Sequence, residues 1–394
     1  MRKIKVGLVG SGFAANIHMT AYNENREFFE IVAVTAKHVE NAKKFAERYG
    51  IPVVCESMDE LISHPEVDVV DVCVPTNVHD EVILKAAENG KDIICEKPLT
   101  GYFGEDLVDV DEIGKIEKKL MFEKLKSKVE KIETALENGG VKFMYAENLV
   151  YSPAVTKAKK LLKASGAFIM ELRAEESHSG SHASYSRRWR TSGGGSLLRM
   201  GSHPIGVVLH MKHYEGRIFH GKPIRAKSVL AEIGYLTRTD KFKKEKKHYM
   251  VDTWKDVEDW SCVLITFEDD TKAVVFSNDI SLGGVKNLVQ MNTSKGMIYC
   301  NITPNNTVLA YAPESSVWGE EYIAEKIETK SGWTFPFPDE EWLRGYHQEM
   351  RDFALALLEE KPPESGFQLA KETVLVIYAA YYSSESGKRI NLNF

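Results

Sequence analysis

The sequence predicts an α/β protein with two unlike parts, a doubly wound parallel unit over residues 1–147 and an α+β unit over residues 148–394. Three observations predict this fold class. At 394 residues, the chain exceeds what one hydrophobic core usually supports. Its first third alternates short, continuously apolar runs with helical patterns, as in parallel sheets covered on both faces. Later apolar runs follow one another through turns, which indicates a large, open and mostly antiparallel sheet.

The first part is predicted to alternate strands with helices. The predicted strands are Ile4–Val9, Ile31–Thr35, Val53–Cys55, Val67–Val74, Asp92–Cys95 and Val141–Ala146. The predicted helices run from a glycine-rich turn to about Tyr22, and over Val39–Tyr49, Met58–Ser63 and His79–Asn89. The charged stretch Glu105–Asn138 also has a helical pattern, with a break near Gly114 and a glycine stop signal after it.

The second part is predicted to be richer in strands. Its predicted strands are Ala167–Glu175, Lys227–Leu236, Ser261–Phe267, Lys272–Phe276, Leu288–Thr293 and Met297–Asn301. Its predicted helices are Ala154–Ala164, one near Pro204–Tyr214, Tyr346–Glu360 and Leu369–Ser383.

The composition disfavours several classes of protein. A net charge of −6 argues against a nucleic-acid partner, and the basic run 241–247 is interpreted as a solvated turn. No apolar stretch is long enough to span a bilayer, and the first strand begins too early to leave room for a signal peptide. The five cysteines are odd in number and lack Cys-x-x-Cys spacing, so neither a disulfide framework nor a zinc site is indicated. A cytoplasmic location fits best.

A glycine-rich turn joins the first predicted strand to the first helix. Its sequence, Gly10-Ser-Gly12-Phe13-Ala14-Ala15, fits the pattern G-x-G-x-x-A of dinucleotide-binding Rossmann domains. Gly10 permits the tight turn, Gly12 lets the backbone approach a pyrophosphate, and Ala15 allows close packing of helix on strand. Free N–H groups at the helix start then face the phosphates. The alternative is a tight turn without a ligand.

The end of the second predicted strand bears on the choice of dinucleotide. An acidic residue there would bind the ribose 2′-hydroxyl of NAD and repel a 2′-phosphate. This sequence has Thr35-Ala36-Lys37-His38 instead. A small residue followed by Lys37 accommodates and neutralises a 2′-phosphate, which favours NADP over NAD. The alternative is an exposed lysine beside a loosely bound ribose.

Three further segments carry candidate chemistry. They are Val74-Pro75-Thr76-Asn77-Val-His79, Cys95-Glu96-Lys97-Pro98 and Gly193-Gly-Gly-Ser-Leu-Leu-Arg199-Met-Gly-Ser-His203. Together with the glycine-rich turn they resemble the glucose–fructose oxidoreductase/inositol dehydrogenase family (Gfo/Idh/MocA), over essentially the whole chain. The Glu-Lys-Pro tripeptide directly after a buried strand is the specific part of this resemblance.

The resemblance implies a nicotinamide-dependent oxidoreductase that acts on a sugar, inositol or sugar derivative and forms a homo-oligomer, a dimer or tetramer. In such enzymes the lysine of Glu-Lys-Pro contacts the reacting oxygen, a role for Lys97, whose ammonium would stabilise alkoxide character. His203 matches the histidine that takes the hydroxyl proton, although it could instead cap a helix. The resemblance implies cofactor contacts for Pro75, Thr76, Asn77, His79, Glu96, Trp189 and Arg190.

Arg199 departs from the family's pattern, because many relatives have an aspartate four residues before the histidine. Close to His203, an arginine would lower the pKa of the imidazole by repulsion. It would also clamp an anionic group, which makes an acidic sugar derivative more credible than a simple polyol. Because Pro204 disfavours helix at His203, the sequence leaves open whether the two side chains share a face.

A second cluster, Glu175-Glu176-Ser-His178-Ser-Gly-Ser-His182, follows the first strand of the second part, where relatives place substrate contacts. Substrate contacts are therefore predicted for Glu176, His178 and His182, besides Lys97, Arg199 and His203. Tyr151 could reach the same cleft, with core packing as its alternative. The histidine spacing matches no known metal motif, so no metal is predicted.

The segment Gly101–Leu120 is predicted to be a charged surface excursion near the cleft mouth and a candidate lid. Three functions stay open for the whole chain. The first is reversible hydride transfer with NADP(H). The second is glycoside cleavage through transient oxidation, which predicts turnover without a net change in nicotinamide absorbance. The third is a non-catalytic dinucleotide-binding regulator, against which the presence of both Lys97 and His203 argues.

Overall fold

The computed structural model describes residues 2–304, 306–359 and 361–394, and its first part is built on one parallel sheet. The elements of this part are β1 (Ile4–Val9), α1 (Phe13–Glu24), β2 (Phe29–Thr35), α2 (Val39–Tyr49), β3 (Val53–Val54), α3 (Met58–Ser63), β4 (Val69–Val72), α4 (Thr76–Glu88), β5 (Asp92–Glu96), α5 (Lys118–Gly139) and β6 (Phe143–Ala146). The strand order β3-β2-β1-β4-β5-β6 is that of doubly wound dinucleotide-binding folds. The order reverses beside β1, so right-handed crossovers place helices on both faces.

The second part is built on a seven-stranded sheet, which is antiparallel except for one parallel pair of strands. The elements are α6 (Pro153–Ser165), β7 (Ile169–Ser177), α7 (Trp189–Ser192), α8 (Ser196–Arg199), α9 (Ser202–His220), β8 (Ala226–Gly234), α10 (Asp240–Lys243), β9 (Trp260–Phe267), β10 (Lys272–Asn278), β11 (Lys286–Thr293), β12 (Gly296–Thr303), β13 (Ala310–Ala312), β14 (Gly332–Thr334), α11 (Glu340–Arg344), α12 (Tyr346–Leu358), α13 (Phe367–Ser386) and β15 (Ile390–Asn391). The strand order is β12-β11-β7-β10-β9-β8-β15, and among these pairs only β7 and β10 run parallel. The predicted fold class is confirmed.

Helices α12 and α13 tie the two sheets together. Helix α13 packs against α5 of the first part as well as α9 and β8 of the second, and α12 packs against α1. The hydroxyl of the buried Tyr378 on α13 accepts from the Tyr102 backbone N–H (2.7 Å) and donates to the Gly193 carbonyl (2.6 Å). The division after residue 147 therefore stays a prediction, because C-terminal helices pack on both parts. The predicted end of α12 at Glu360 lies outside the described residues.

None of the described helices combines the length and apolarity that a membrane crossing needs.

The predicted helical pattern over Glu105–Asn138 is wrong in its first third. Helix α5 begins only at Lys118, and the preceding residues form turns with one 3₁₀ turn at Ile113–Lys115. The Arg190 guanidinium takes up three carbonyls of this stretch, which are those of Gly104 (3.1 Å), Leu107 (2.8 Å) and Val110 (2.5 Å). A helix would need the same carbonyls for its own hydrogen bonds, so a tertiary contact overrides the local pattern.

The excursion over Gly101–Leu120 is also not a free surface lid, because its first residues and the turn around Ile113 are buried. Tyr102 and Ile113 are at most 2% exposed, and the Tyr102 carbonyl accepts from the indole N–H of Trp189 (3.0 Å). The Asp256 carboxylate accepts from the backbone N–H groups of Gly114 (2.9 Å) and Trp189 (2.8 Å). The segment is thus fixed to the second part of the fold, while its charged middle and its last residues, 119–120, are largely exposed.

We expect Arg190→Ala to lower the free energy of unfolding by about 2 kcal/mol, because hydrogen bonds from a charged donor contribute about 1.5–3 kcal/mol. Thermal denaturation should show a lower Tm. Arg188→Ala is the matched control, since its ion pair with Asp111 (2.6 Å) joins two exposed side chains and should change stability by less than about 0.5 kcal/mol. Equal effects of the two substitutions would contradict the anchoring role of Arg190.

Candidate cofactor and active site

The glycine-rich turn has the backbone that a bound pyrophosphate requires. Gly10 has φ +124°, and a Cβ there would lie 2.1 Å from the Cys73 carbonyl oxygen, so only glycine fits. Gly12 is the N-cap of α1, and a Cβ there would meet no atom within 4 Å. Space is therefore open directly above the first N–H groups of α1, where the helix favours an anion. Ala15 is fully buried and Phe13 is 69% exposed.

Most of the predicted cofactor residues lie at the same edge of the parallel sheet as this turn. Ala36 and Lys37 follow β2, and Pro75, Thr76 and Asn77 join β4 to α4. The carboxyl ends of these strands meet where the strand order reverses, which is where ligands of doubly wound folds bind. Lys37, Pro75 and Asn77 are exposed there, Ala36 is half-buried, and Thr76 is buried.

His79 lies in the first turn of α4 and is buried. Its ring is 1% exposed, with Nδ1 3.0 Å from the Pro98 carbonyl oxygen and Nε2 2.9 Å from that of Val74. Both ring nitrogens therefore face backbone carbonyls, and the ring braces the loops after β4 and β5. The cofactor contact of His79 stays a prediction. Trp189 and Arg190 are likewise engaged with the 101–117 segment, and this placement gives their predicted cofactor contacts no support.

His18, a buried histidine on α1, contacts the carboxylate of Glu96. Its Nδ1 lies 2.8 Å from Asp71 Oδ2 and its Nε2 lies 3.1 Å from Glu96 Oε1. Burial alone would lower the pKa of His18, but Asp71, and then Cys73, raise it well above its usual value. Burial raises the pKa of Glu96, yet the hydrogen bond from His18 and the charge of Lys97 bring it below its usual value. Glu96 is thus held as a carboxylate.

Among the described residues, one group has donor atoms that could hold a metal ion, namely His18, Asp71 and Cys73. These side chains are joined to each other directly, with Nδ1 of His18 2.8 Å from Asp71 Oδ2 and 3.3 Å from Cys73 Sγ. Hydrogen bonding explains their closeness without an ion.

Lys97 directly follows β5 and reaches across to the second part of the fold. Its Nζ donates to the Arg199 carbonyl oxygen (3.1 Å), and its backbone N–H donates to Glu96 Oε2 (3.0 Å). The peptide between Lys97 and Pro98 is cis. The ammonium is therefore held at the boundary between the nucleotide-binding sheet and α8.

His203 lies in the first turn of α9 and is 2% exposed. Its Nδ1 is 2.7 Å from Glu147 Oε1, and its Nε2 is 4.0 Å from Glu176 Oε2. Burial lowers the pKa of His203 well below its usual value, and the charges of Lys97 and Arg344 lower it further. The imidazole is therefore neutral at neutral pH. Burial also raises the pKa of Glu147 well above its usual value, although the charge of Lys97 opposes this shift.

The expectation that Pro204 keeps His203 out of a helix is wrong. Helix α9 begins at Ser202, so Pro204 falls within its first turn. The N–H groups of the first turn have no partner within the helix, and proline therefore costs no helical hydrogen bond there. This start places His203 at the end of the helix that faces Lys97 and Glu147.

Arg199 does not act on His203 as predicted. Its guanidinium pairs with the buried Asp279 and stacks on Trp254, with 4.8 Å between the guanidinium carbon and the ring centre. Arg199 lowers the pKa of His178, after the larger effect of burial, whereas the cations that act on His203 are Lys97 and Arg344. Because Asp279 neutralises the charge of Arg199, this arginine no longer supports the prediction of an anionic substrate.

The remaining predicted substrate residues are separated by the structure. Glu176 is buried beside His203, and His178 is buried with its Nδ1 accepting from the Gly180 backbone N–H (2.8 Å). His182 is exposed. Tyr151 is core: its hydroxyl donates to Asp352 (2.8 Å) and its ring packs edge-on against Phe353. The predicted substrate contact of Tyr151 is therefore wrong, and its alternative holds.

Comparison with known families agrees with the motifs. Residues 4–121 match the Gfo/Idh/MocA model, described as "Oxidoreductase family, NAD-binding Rossmann fold". The first part of the chain therefore resembles this family. Levoglucosan dehydrogenase of Pseudarthrobacter phenanthrenivorans is 32% identical over 170 residues, 41% of this chain and 38% of that protein. Uncharacterized protein YMR315W of Saccharomyces cerevisiae is 30% identical over 172 residues, 43% of each chain. The matched stretches thus span about two fifths of these curated relatives.

Similarity over the full length exists at lower identity. Myo-inositol 2-dehydrogenase of Thermotoga maritima is 21% identical over 99% of this chain and 98% of that protein. A crystal structure of GenD2 from gentamicin A biosynthesis, in complex with NAD, has a TM-score of 0.79 at 21% identity and covers 100% of this chain and 97% of that one. At this identity the structural likeness shows the fold.

Sequence reasoning missed two residues that contact or act on His203. Glu147 directly follows β6, the strand beside the one that ends in Glu-Lys-Pro, and this position was the signal that could have found it. Arg344 ends α11, about 140 positions after His203 in sequence, and its guanidinium pairs with Glu325 (2.5 Å). Nothing in the local sequence distinguishes Arg344 from a surface arginine.

Proposed function

We propose that the chain transfers a hydride between a nicotinamide dinucleotide and the hydroxyl- or carbonyl-bearing carbon of a sugar, inositol or sugar derivative. The observation that carries this proposal is the meeting of Lys97, His203 and Glu147 at the carboxyl edge of the parallel sheet, next to the glycine-rich turn. The match of residues 4–121 to the Gfo/Idh/MocA model supports it. A dinucleotide fits the residues present, because Gly10 permits the tight turn and the space at Gly12 leaves room for a pyrophosphate. Its nicotinamide ring would accept or supply the hydride.

The chain's own residues supply the proton chemistry. The Nδ1–H of His203 donates to the Glu147 carboxylate, which fixes the tautomer whose Nε2 carries a free lone pair. Burial raises the pKa of Glu147 well above its usual value, and Lys97 is the largest influence that opposes this shift, so Lys97 favours the carboxylate form on which this tautomer depends. In oxidation, the hydride leaves the carbon and the hydroxyl proton passes to Nε2 as the C=O bond forms. The Lys97 ammonium stabilises negative charge on the oxygen. Reduction reverses each step.

The proposed preference for NADP is supported by Lys37, which is exposed after β2. We expect Lys37→Ala to weaken NADP binding about ten-fold and to leave NAD binding unchanged, because only NADP carries the 2′-phosphate that the ammonium would neutralise. Isothermal titration with each nucleotide measures both affinities. Lys157→Ala, which removes an exposed lysine from α6, is the matched control. Equal losses for NADP and NAD would count against the preference.

The second sheet supports a proposal of self-association, because its strands carry exposed apolar side chains. These are Met170, Leu230, Phe276, Met297 and Tyr299. The resemblance implies pairing through the open face of this sheet, and we propose a homo-oligomer formed in that way. The division into residues 1–147 and 148–394 is retained as a proposal as well.

The function is tested by following nicotinamide absorbance with NADP and NAD against polyols, neutral sugars, sugar acids and glycosides. We expect reduction of added NADP by at least one polyol or neutral sugar. Consumption of a glycoside without a net change in absorbance would favour redox-neutral cleavage. If neither nucleotide binds at micromolar concentration, hydride transfer and redox-neutral cleavage both fail.

A further inference from the structure

Glu176 has a position that the proton chemistry above does not use. It lies near the end of β7, is 4% exposed, and its Oε2 accepts from the side-chain amide of Asn287 (2.7 Å). Thr303 donates its hydroxyl to the Asn287 amide oxygen, which fixes which end of the amide faces Glu176. The carboxyl group is therefore held in place in front of Nε2 of His203.

We propose that Glu176 is a further catalytic residue, beside Lys97 and His203, that in its acid form donates a hydrogen bond to the reacting oxygen of the substrate. This inference rests on the proposed hydride transfer. It assigns to Glu176 a step of the chemistry beyond a general substrate contact.

The distance between the two side chains carries the argument. The 4.0 Å from Glu176 Oε2 to His203 Nε2 is too long for a direct hydrogen bond. A hydroxyl oxygen about 2.8 Å from each atom would fit between them. Such an oxygen has one hydrogen to give and lone pairs to accept with. If the hydrogen goes to Nε2, the second partner has to be a donor, and only the acid form of Glu176 can be one.

The charges around Glu176 make that acid form available at neutral pH. Burial raises the pKa of Glu176 to about 7, against the lowering effects of Lys97, Arg344 and the Asn287 hydrogen bond. Glu325 raises it in addition. The titratable groups that face it come from five parts of the fold, and they are Lys97 after β5, Glu147 after β6, His203 on α9, Glu325 in the 304–339 loops and Arg344 on α11.

The step balances without a further reactant. In reduction, the carbonyl oxygen accepts hydrogen bonds from Glu176 and Lys97, the carbon receives the hydride, and the oxygen takes its proton from Nε2 of His203. Glu176 keeps its proton throughout. Since only its acid form donates, kcat/KM should be full below the pKa of Glu176 and fall as the pH rises through about 7.

The test is the pH profile of kcat/KM for the full chain with its substrate and nucleotide, compared between wild type, Glu176→Gln and Glu176→Ala. An amide donates at every pH, so Glu176→Gln should lose the fall near pH 7 and stay within about ten-fold of wild type at pH 6. For Glu176→Ala, kcat/KM should be about a hundred-fold lower than in wild type at that pH. If kcat/KM of Glu176→Gln still fell near pH 7 as it does in wild type, the proposal would be overturned.

Asn287→Ala gives an independent measurement if the Glu176 variants unfold. The Asn287 amide lowers the pKa of Glu176, so its removal should shift the fall of kcat/KM to higher pH. If kcat/KM of Asn287→Ala fell at the same pH as in wild type, the role of Glu176 would again be contradicted. Absence of hydride transfer in wild type would instead refute the proposed function itself, so the two failures are distinguishable.

Discussion

Replacing Lys97 by methionine should lower the rate of hydride transfer about a hundred- to thousand-fold and leave nucleotide affinity nearly unchanged. A donor fixed beside the reacting oxygen before the reaction begins contributes about this much to the rate. Lys97 is such a donor, since its Nζ is oriented by the Arg199 carbonyl (3.1 Å). Methionine keeps the apolar stem, so the loss reports on the ammonium. The measurement is kcat with saturating nucleotide, together with nucleotide affinity from a separate titration.

Lys85→Met is the matched control for this substitution. Lys85 lies on α4 and pairs with Asp59 (2.8 Å) and Glu81 (2.9 Å) on the protein surface. Its removal should leave kcat within about two-fold, because no exposed pair of this kind acts on the reacting oxygen. A Lys97→Met protein that keeps wild-type kcat would refute the proposed hydride-transfer site and would revive the non-catalytic regulator.

Much of the fold could be predicted because the first part obeys local rules. Helices Val39–Tyr49 and Met58–Ser63 agree with the prediction at both ends, and the other predicted elements differ mostly by a few residues at their boundaries. Each of them carries a sustained apolar period or a clear stop signal. The short elements β13, β14 and β15 were missed, because two or three residues carry no period. The helix prediction failed for the first third of the charged segment before α5, because hydrogen bonds from Arg190, 80 positions after Val110, determine the backbone conformation there.

The candidate site could be predicted only where a motif carries it. Gly10, Gly12, Lys97 and His203 each belong to a segment whose spacing requires a particular chemistry. The surroundings of His203 depend on long-range contacts, which no spacing reveals. Glu147 lies 56 positions before it, and Arg344 comes from the far end of the chain.

Arg199 shows how a substitution can mislead when its partner is unknown. The sequence places a positive charge near the catalytic histidine, and repulsion follows if the charge is free. Asp279, 80 positions later, pairs with that charge. The substituted cation is thereby removed from the reaction, and a neutral sugar or polyol becomes the first substrate to test.

Gly12→Asp should weaken nucleotide binding about a hundred-fold or more and leave the fold intact. The open space above Gly12 accepts a side chain, and aspartate at an N-cap stabilises a helix by a few tenths of a kcal/mol relative to glycine. The same carboxylate would stand where the pyrophosphate binds and repel it. Stability and affinity should thus move in opposite directions. Gly10→Ala should instead lower the stability of the protein, since its Cβ would meet the Cys73 carbonyl oxygen.

The most direct test of the central claim is a titration of NADPH into wild type and Gly12→Asp, followed by nucleotide fluorescence alongside thermal denaturation. Gly296→Asp adds the same charge at an open position on β12 and serves as the control. The account predicts binding to wild type and Gly296→Asp, and a loss of about a hundred-fold in Gly12→Asp with an unchanged or higher Tm. Equal NADPH affinity in all three proteins would contradict it, because the glycine-rich turn would then not hold the dinucleotide.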